Sequence, residues 1–184
     1  MRIDFSNLKD TYNELISDVE AAKKLDTAQY PEAFIKRTYI RSFFSMIEGV
    51  TYQIKQISLE ANKEANILNT YEVSLLRELV GQLDAEGKAS EKNAKLSLLP
   101  NLLFALRSIS KVLAVDFEVD KNKKSGWGAL EHAVTIRDRI THPKKIDSLL
   151  INDEDMLLLG RANAWFRNEI ARLIELIRMH HDVV

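Results

Sequence analysis

Apolar residues recur along this chain at spacings of three and four, the period of a helix with one buried face. Phe5, Leu8, Tyr12, Leu15, Ile16 and Val19 form such a stripe and predict a first helix over residues 5–24. Pro31 stands where a first-turn proline belongs, with Glu32 after it. From there to Leu68 only Gly49 interrupts, and Ile35, Tyr39, Phe43, Met46, Ile47, Val50, Ile54 and Ile57 mark one stripe. The pattern predicts a single helix of about 37 residues, ~55 Å at 1.5 Å per residue, or two nearly collinear pieces.

Asn69 and Thr70 form a capping pair for a shorter helix that Gly81 ends. Residues 82–95, QLDAEGKASEKNAK, are polar and aperiodic and read as the main exposed loop. Pro100 opens another helix through Leu102, Leu103, Leu106, Ile109 and Leu113. After a second polar break, DFEVDKNKKSG, Ser125 is placed to cap a helix from Trp127 to Thr141. Pro143 stops it, because the residue before a proline is pushed out of the α region. Asn152 or Asp153 caps a last helix through Leu157, Ala162, Trp165, Phe166, Leu173 and Ile177. No internal repeat, low-complexity tract or domain boundary interrupts the series. The expected fold is all-α: one domain over 1–184, a bundle of five or six helices with one long helix, residues 1–30 supplying the N-terminal helix, and essentially no sheet.

Composition narrows the picture. A chain of 184 residues is one domain's worth and can bury a sizeable core without staples. Six glycines and three prolines are too few for the many turns of a β-rich protein. Hydrophobic residues at 46% and charged residues at 29% are ordinary for a globular chain and argue against disorder. The absence of cysteine excludes disulfides, thiolate metal sites and cysteine nucleophiles. A net charge of −1 provides no global basic field, so contact with nucleic acid requires a local patch. The opening MRIDFSNLKD lacks the apolar stretch of a signal peptide. The apolar run Leu96 to Leu106 is broken by Pro100 and falls short of the ~20 residues that a membrane span needs. A soluble, cytoplasmic protein is the expectation.

Histidine is scarce here: His132, His142, His180 and His181. It is the side chain whose unperturbed pKa, ~6.5, lies near neutrality. His180 and His181 stand at a C-terminal end where fraying is expected. Neither Glu-x-x-His nor His-x-x-x-His occurs, so helical di-iron and zincin sites lack their ligands, and no phosphate-cradling glycine loop is present. The segment that stands apart is Ile136-Arg137-Asp138-Arg139-Ile140-Thr141-His142-Pro143-Lys144-Lys145. Arg137 and His142 are five apart, about 140° around an ideal helix. Pro143 takes His142 off the helical path, so its imidazole can swing back beside the last turn. Asp138, four residues before His142, can accept an imidazole N–H and set its tautomer. Arg137 offers a planar fork of donors suited to phosphate, and Arg139, Lys144 and Lys145 add positive charge for substrate. These are the parts of a metal-free phosphodiester cleavage site.

Arg137-Asp138 followed by His142, at the end of a late helix in an all-α chain, resembles the signature Arg-x(4–6)-His of the HEPN superfamily (higher eukaryotes and prokaryotes nucleotide-binding). The capped helix before it, His-Pro-Lys after it, and a closing helix with Trp165-Phe166 support the resemblance over about residues 31–180. Many HEPN members are metal-independent endoribonucleases; others are non-catalytic modules that bind RNA or a partner protein. The resemblance implies a nuclease of toxin or phage-defence type, needing no cofactor. In it His142 acts on the ribose 2′-OH, leaving a 2′,3′-cyclic phosphate, while Arg137 holds the scissile phosphate and Asp138 assists. It also implies RNA and an antitoxin or other protein as partners, and a homodimer whose site is built where two motif helices meet. Asp138 stands where Asn is more typical and sets a negative charge near the phosphate.

Other residues weigh less. Arg37, Arg41, Glu48 and Lys55 lie within ~40° of one another on the long helix; they form either a solvated face or a stripe facing the motif, with Arg41 or Glu48 assisting substrate binding. His132, beside Glu131, is expected to pack partly buried. Trp127, Trp165 and Phe166 are expected in the core rather than stacked on bases. Lys121, Lys123 and Lys124 are expected in a solvated loop, with nucleic-acid backbone contact as the sharper option.

Overall fold

The computed structural model describes residues 2–122, 124 and 126–183. Ser125, the expected cap, and Lys123 lie outside the described residues. Among those described the chain forms six α-helices: α1 Ser6–Lys23, α2 Glu32–Ala65, α3 Thr70–Leu76, α4 Leu98–Val112, α5 Gly126–Thr141 and α6 Asp153–His180. The protein is an all-α bundle, and none of these helices is long and apolar enough to cross a membrane.

The central element is α2, one unbroken helix of 34 residues. Tyr39, Ile40, Phe43, Phe44, Met46, Ile47, Val50 and Ile54 are buried along it, the stripe that the 3.6-residue period marks. Pro31 is its N-cap rather than its first helical residue, and Asn66, left-handed at φ 49°, closes it. The Asn62 side chain adds a second stop by accepting from the backbone N–H groups of Ile67 and Leu68, at 3.1 and 3.0 Å. Against α2 packs α1, which crosses closely at Gly49: a β-carbon there would lie 2.6 Å from Leu15 Cδ1.

The expected helix reaching Gly81 is shorter. Asn69 caps α3 through a reciprocal box with Glu72, but the helix ends at Leu76, and Glu78 turns left-handed at φ 58°. Gly81 lies instead in strand β2, Leu79–Leu83, which pairs antiparallel with β3, Ala89–Asn93 (β1 is a two-residue strand, Arg2–Ile3). The polar stretch 82–95 is thus mainly half of a hairpin, not a loop. Asp84 makes the turn: its N–H donates to the Lys88 carbonyl at 3.0 Å, its side chain accepts from Glu86 and Lys88, and Gly87 supplies φ 77°. Asp-x-x-Gly is a tight-turn signal in the sequence. The strands flanking it are too polar to show an apolar alternation.

After the hairpin, α4 carries Pro100 in its first turn and ends in a Schellman closure. Val115 N–H donates to the Ser110 carbonyl at 3.0 Å, with Ala114 left-handed at φ 49°. On the other side of α2, α5 and α6 pack against each other. Gly126 permits the contact, since a β-carbon there would sit 2.0 Å from Trp165 Cβ. Trp127 and Trp165 meet edge to face at 5.4 Å, and with Phe166 they are buried, as their helical spacing indicates. Asn152 caps α6 through a box with Asp155. The C-terminal end is tied rather than frayed: the His181 ring bonds the Leu113 carbonyl at 2.7 Å, and β4, Asp182–Val183, runs parallel to β1.

Backbones approach closely within α1–α2, α2–α4 and α5–α6, and only sparsely between α2 and either α5 or α6. Polar side chains bridge that boundary: Lys36–Asp153 at 2.9 Å, Asn163 donating to the Tyr39 hydroxyl at 3.1 Å, Glu20–Arg167 at 3.5 Å and Glu48–Arg137 at 2.5 Å.

Candidate functional site

Arg137 projects from the last turns of α5 toward α2. Its guanidinium donates to Glu48 of α2 and, at 3.0 Å, to Asp138 beside it, and lies 5.8 Å from the Phe44 ring centre. The side chain keeps 30% of its surface exposed. It borders a cleft of about 630 Å³ whose walls include Glu48, Tyr52, Glu78, Asn101, Arg137 and Asp138. The cleft thus lies where α2, the root of the hairpin, the start of α4 and the end of α5 converge.

His142 is positioned as Pro143 dictates. Its backbone N–H donates to the Asp138 carbonyl at 3.0 Å, the last bond of the helix, and its exposed ring has no hydrogen-bond or ion-pair partner among the described residues. It does not line the cleft that Arg137 borders. Asp138 does not hold the imidazole: its carboxylate turns to Arg137 instead. Opposite charge one residue away is the stronger attraction.

Arg139 is a structural clamp. It donates to the Leu150 carbonyl and to Asp155, each at 2.5 Å, fixing the connection from α5 to the start of α6. His132, expected to pack partly buried, is 51% exposed and stands 3.7 Å from Asp155. Lys144 and Lys145 are exposed, the latter 3.6 Å from Asp147. Arg41 is exposed on α2, and Lys121 and Lys124 are exposed before α5.

The stripe on α2 splits along its length. Glu48 meets Arg137, whereas Lys55 is wholly buried. Its ammonium donates to Glu78 and Asn101, both at 3.0 Å, so one buried cation ties α2 to the hairpin root and to α4 under the cleft floor. Sequence reasoning did not single out this network. The available signal was the run Thr51, Lys55, Ser58, a polar line at helical spacing within the buried face of α2. Among the described residues no group of three or more His, Asp or Glu side chains is arranged to hold a metal ion. No family model, no curated protein and no solved structure matches the chain.

Proposed function

We propose that the chain is a HEPN-type, metal-independent endoribonuclease acting as a homodimer, of the toxin or phage-defence kind. One observation carries the reading: Arg137 stands oriented at the lip of an open cleft, and five residues on an exposed imidazole with no polar partner sits at the helix end. Because His142 does not enter its own chain's cleft, the working pair is composite, with His142 of one protomer meeting Arg137 of the other. In the reaction the ribose 2′-oxygen attacks phosphorus as His142 takes its proton. The P–O2′ bond forms and the P–O5′ bond breaks; the leaving 5′-oxygen takes a proton from water, the proton on His142 passes to solvent, and a 2′,3′-cyclic end remains. Imidazole suits proton exchange near neutrality, and a guanidinium stays charged to stabilise the phosphorane. DNA, lacking the 2′-OH, is resistant.

A second reading has its own support. Glu48, Glu78 and Asp138 make the cleft acidic, and Arg137 already holds two carboxylates. That arrangement suits a non-catalytic HEPN-like module that binds RNA or a partner protein elsewhere on its surface. EDTA-treated protein on mixed RNA decides between them. The nuclease reading expects cleavage by wild type and a loss of about 10²–10⁴-fold in His142→Ala and in Arg137→Ala. Equal cleavage by all three, or none by wild type across many RNAs, rejects it.

A further inference from the structure

We infer that β2 is a self-pairing edge: two copies of this chain join by laying β2 antiparallel on β2 about a two-fold axis at Gly81. The product is a four-stranded sheet in the order β3–β2–β2–β3. This concerns how copies join; the nuclease reading also needs a dimer, but it does not depend on which edge makes it.

Ladder parity shows which backbone groups are free. Ala94 N–H donates to the Glu78 carbonyl at 2.7 Å, and Asp84 N–H donates to the Lys88 carbonyl at 3.0 Å. Hydrogen-bonded pairs alternate along an antiparallel ladder, so residues 80 and 82 also aim their backbone groups at β3. Leu79, Gly81 and Leu83 turn theirs outward, where no protein partner meets them among the described residues. A two-stranded ribbon alone is marginal in water, and this one is exposed from Val80 to Asn93.

The edge carries none of the usual defences. β2 reads Leu-Val-Gly-Gln-Leu, without a charge or a proline, and Leu83 is 72% exposed. Outward-facing residues must sit opposite one another when two edges meet. Centring the pairing on Gly81 sets Leu79 opposite Leu83 of the second copy, Val80 opposite Gln82, and Gly81 opposite itself. Both ends of Leu79–Leu83 close on apolar pairs and no like charges meet within the strand; one residue beyond, Glu78, already held by Lys55 at 3.0 Å, faces Asp84 of the second copy. The same parity on β3 turns Ala89, Glu91 and Asn93 outward. Two-fold pairing there faces Glu91 with Glu91, or, shifted either way, Lys92 with Lys92 or Lys88 with Lys92. The β3 edge is thus blocked against itself by charge, and the β2 edge is open.

Gly81 is compatible with this joint. Its φ is not positive, and a β-carbon there would meet nothing within 4 Å. Nothing within the chain requires glycine at this exposed strand position, where it weakens the strand. Paired on itself, residue 81 brings no side chain to the axis, and a β-carbon placed there would point out of the sheet plane, so a cysteine can occupy the same joint.

The absence of cysteine makes the test direct. Wild type should have a dimer mass by light scattering at tens of micromolar. Gly81→Pro removes an outward N–H and leaves the ladder to β3 intact, so dimer dissociation should rise about tenfold or more with the far-UV helical signal unchanged. Under mild oxidation Gly81→Cys should give a covalent dimer, and Glu91→Cys on the opposite edge should not. The cysteine pair reads the joint even if the proline variant folds poorly. A monomeric wild type overturns the inference, and so does equal cross-linking of the two cysteine variants. A monomeric wild type would also remove the composite pair of the nuclease reading, whereas equal cross-linking bears on the β2 joint alone; cleavage of RNA is read separately in the EDTA assay.

Discussion

Two cations near the cleft have opposite settings. Arg137 is held at the surface by carboxylates that water also screens, so its ties to Glu48 and Asp138 add little stability. Lys55 has no exposure, and its charge depends on the acceptors that reach it. Removing one acceptor strands a buried donor. Asn101→Ala should therefore cost about 1–3 kcal/mol in urea unfolding, whereas Lys55→Met, which removes the charge with the need for it, should cost less. A larger loss in Lys55→Met would mean that the ammonium contributes net stability. Arg137, Asp138 and His142 stand out in the sequence because an arginine, a histidine and a proline at fixed spacing mark a helix end, but how their side chains are shared was not readable: Asp138 turns to Arg137, and His142 stays outside the cleft. Lys55 was not, since a lysine on a helix normally reaches water, and only the fold shows the hairpin root and α4 closing over it.

At the scale of elements, side-chain caps set the starts of α3 and α6, and such caps are local enough to be read. Asn69 and Asn152 both close reciprocal boxes, as their positions before apolar runs suggest. Ala114 was invisible for the opposite reason: its left-handed backbone is imposed by the Schellman bonds, not advertised by its side chain. Ala114→Gly should relieve that conformation and stabilise the protein by about 0.5–1 kcal/mol, read as a raised urea midpoint. The α3–α4 tie is titratable. The hydrogen bond from Lys111, then the backbone bond from Asn69, holds the Glu72 carboxyl below its ordinary 4.5. A lowered folded value means that the carboxylate's contribution is present above that pH and is lost as pH falls through the folded value. Glu72→Gln should accordingly flatten the acid limb of a stability–pH curve and lower stability at neutral pH. An unchanged acid limb would show the tie to be idle.

On the scale of the whole molecule, the all-α class, the long helix and the buried tryptophans followed from periodicity, because one apolar face per helix leaves few ways to pack. The hairpin did not, since its ten strand residues bury almost nothing and so carry no hydrophobic signal. Periodicity was also silent on how closely the helices approach: backbones lie nearest within α1–α2, α2–α4 and α5–α6, while one shared hydrophobic core and several polar bridges join α5 and α6 to α2. Segments joined that way open together, in free-energy steps below that of global unfolding. Amide hydrogen exchange should therefore find the middle of α2 slowest, and α5 and α6 exchanging as one unit with a common, smaller opening energy. Uniform protection across α2, α5 and α6 would contradict this. The cleft beside Arg137 has walls from α2, α4 and α5, so if α5 and α6 open as one unit, a ligand that wedges there would speed their exchange together, and one that bridges Glu48 to Asp138 would slow it.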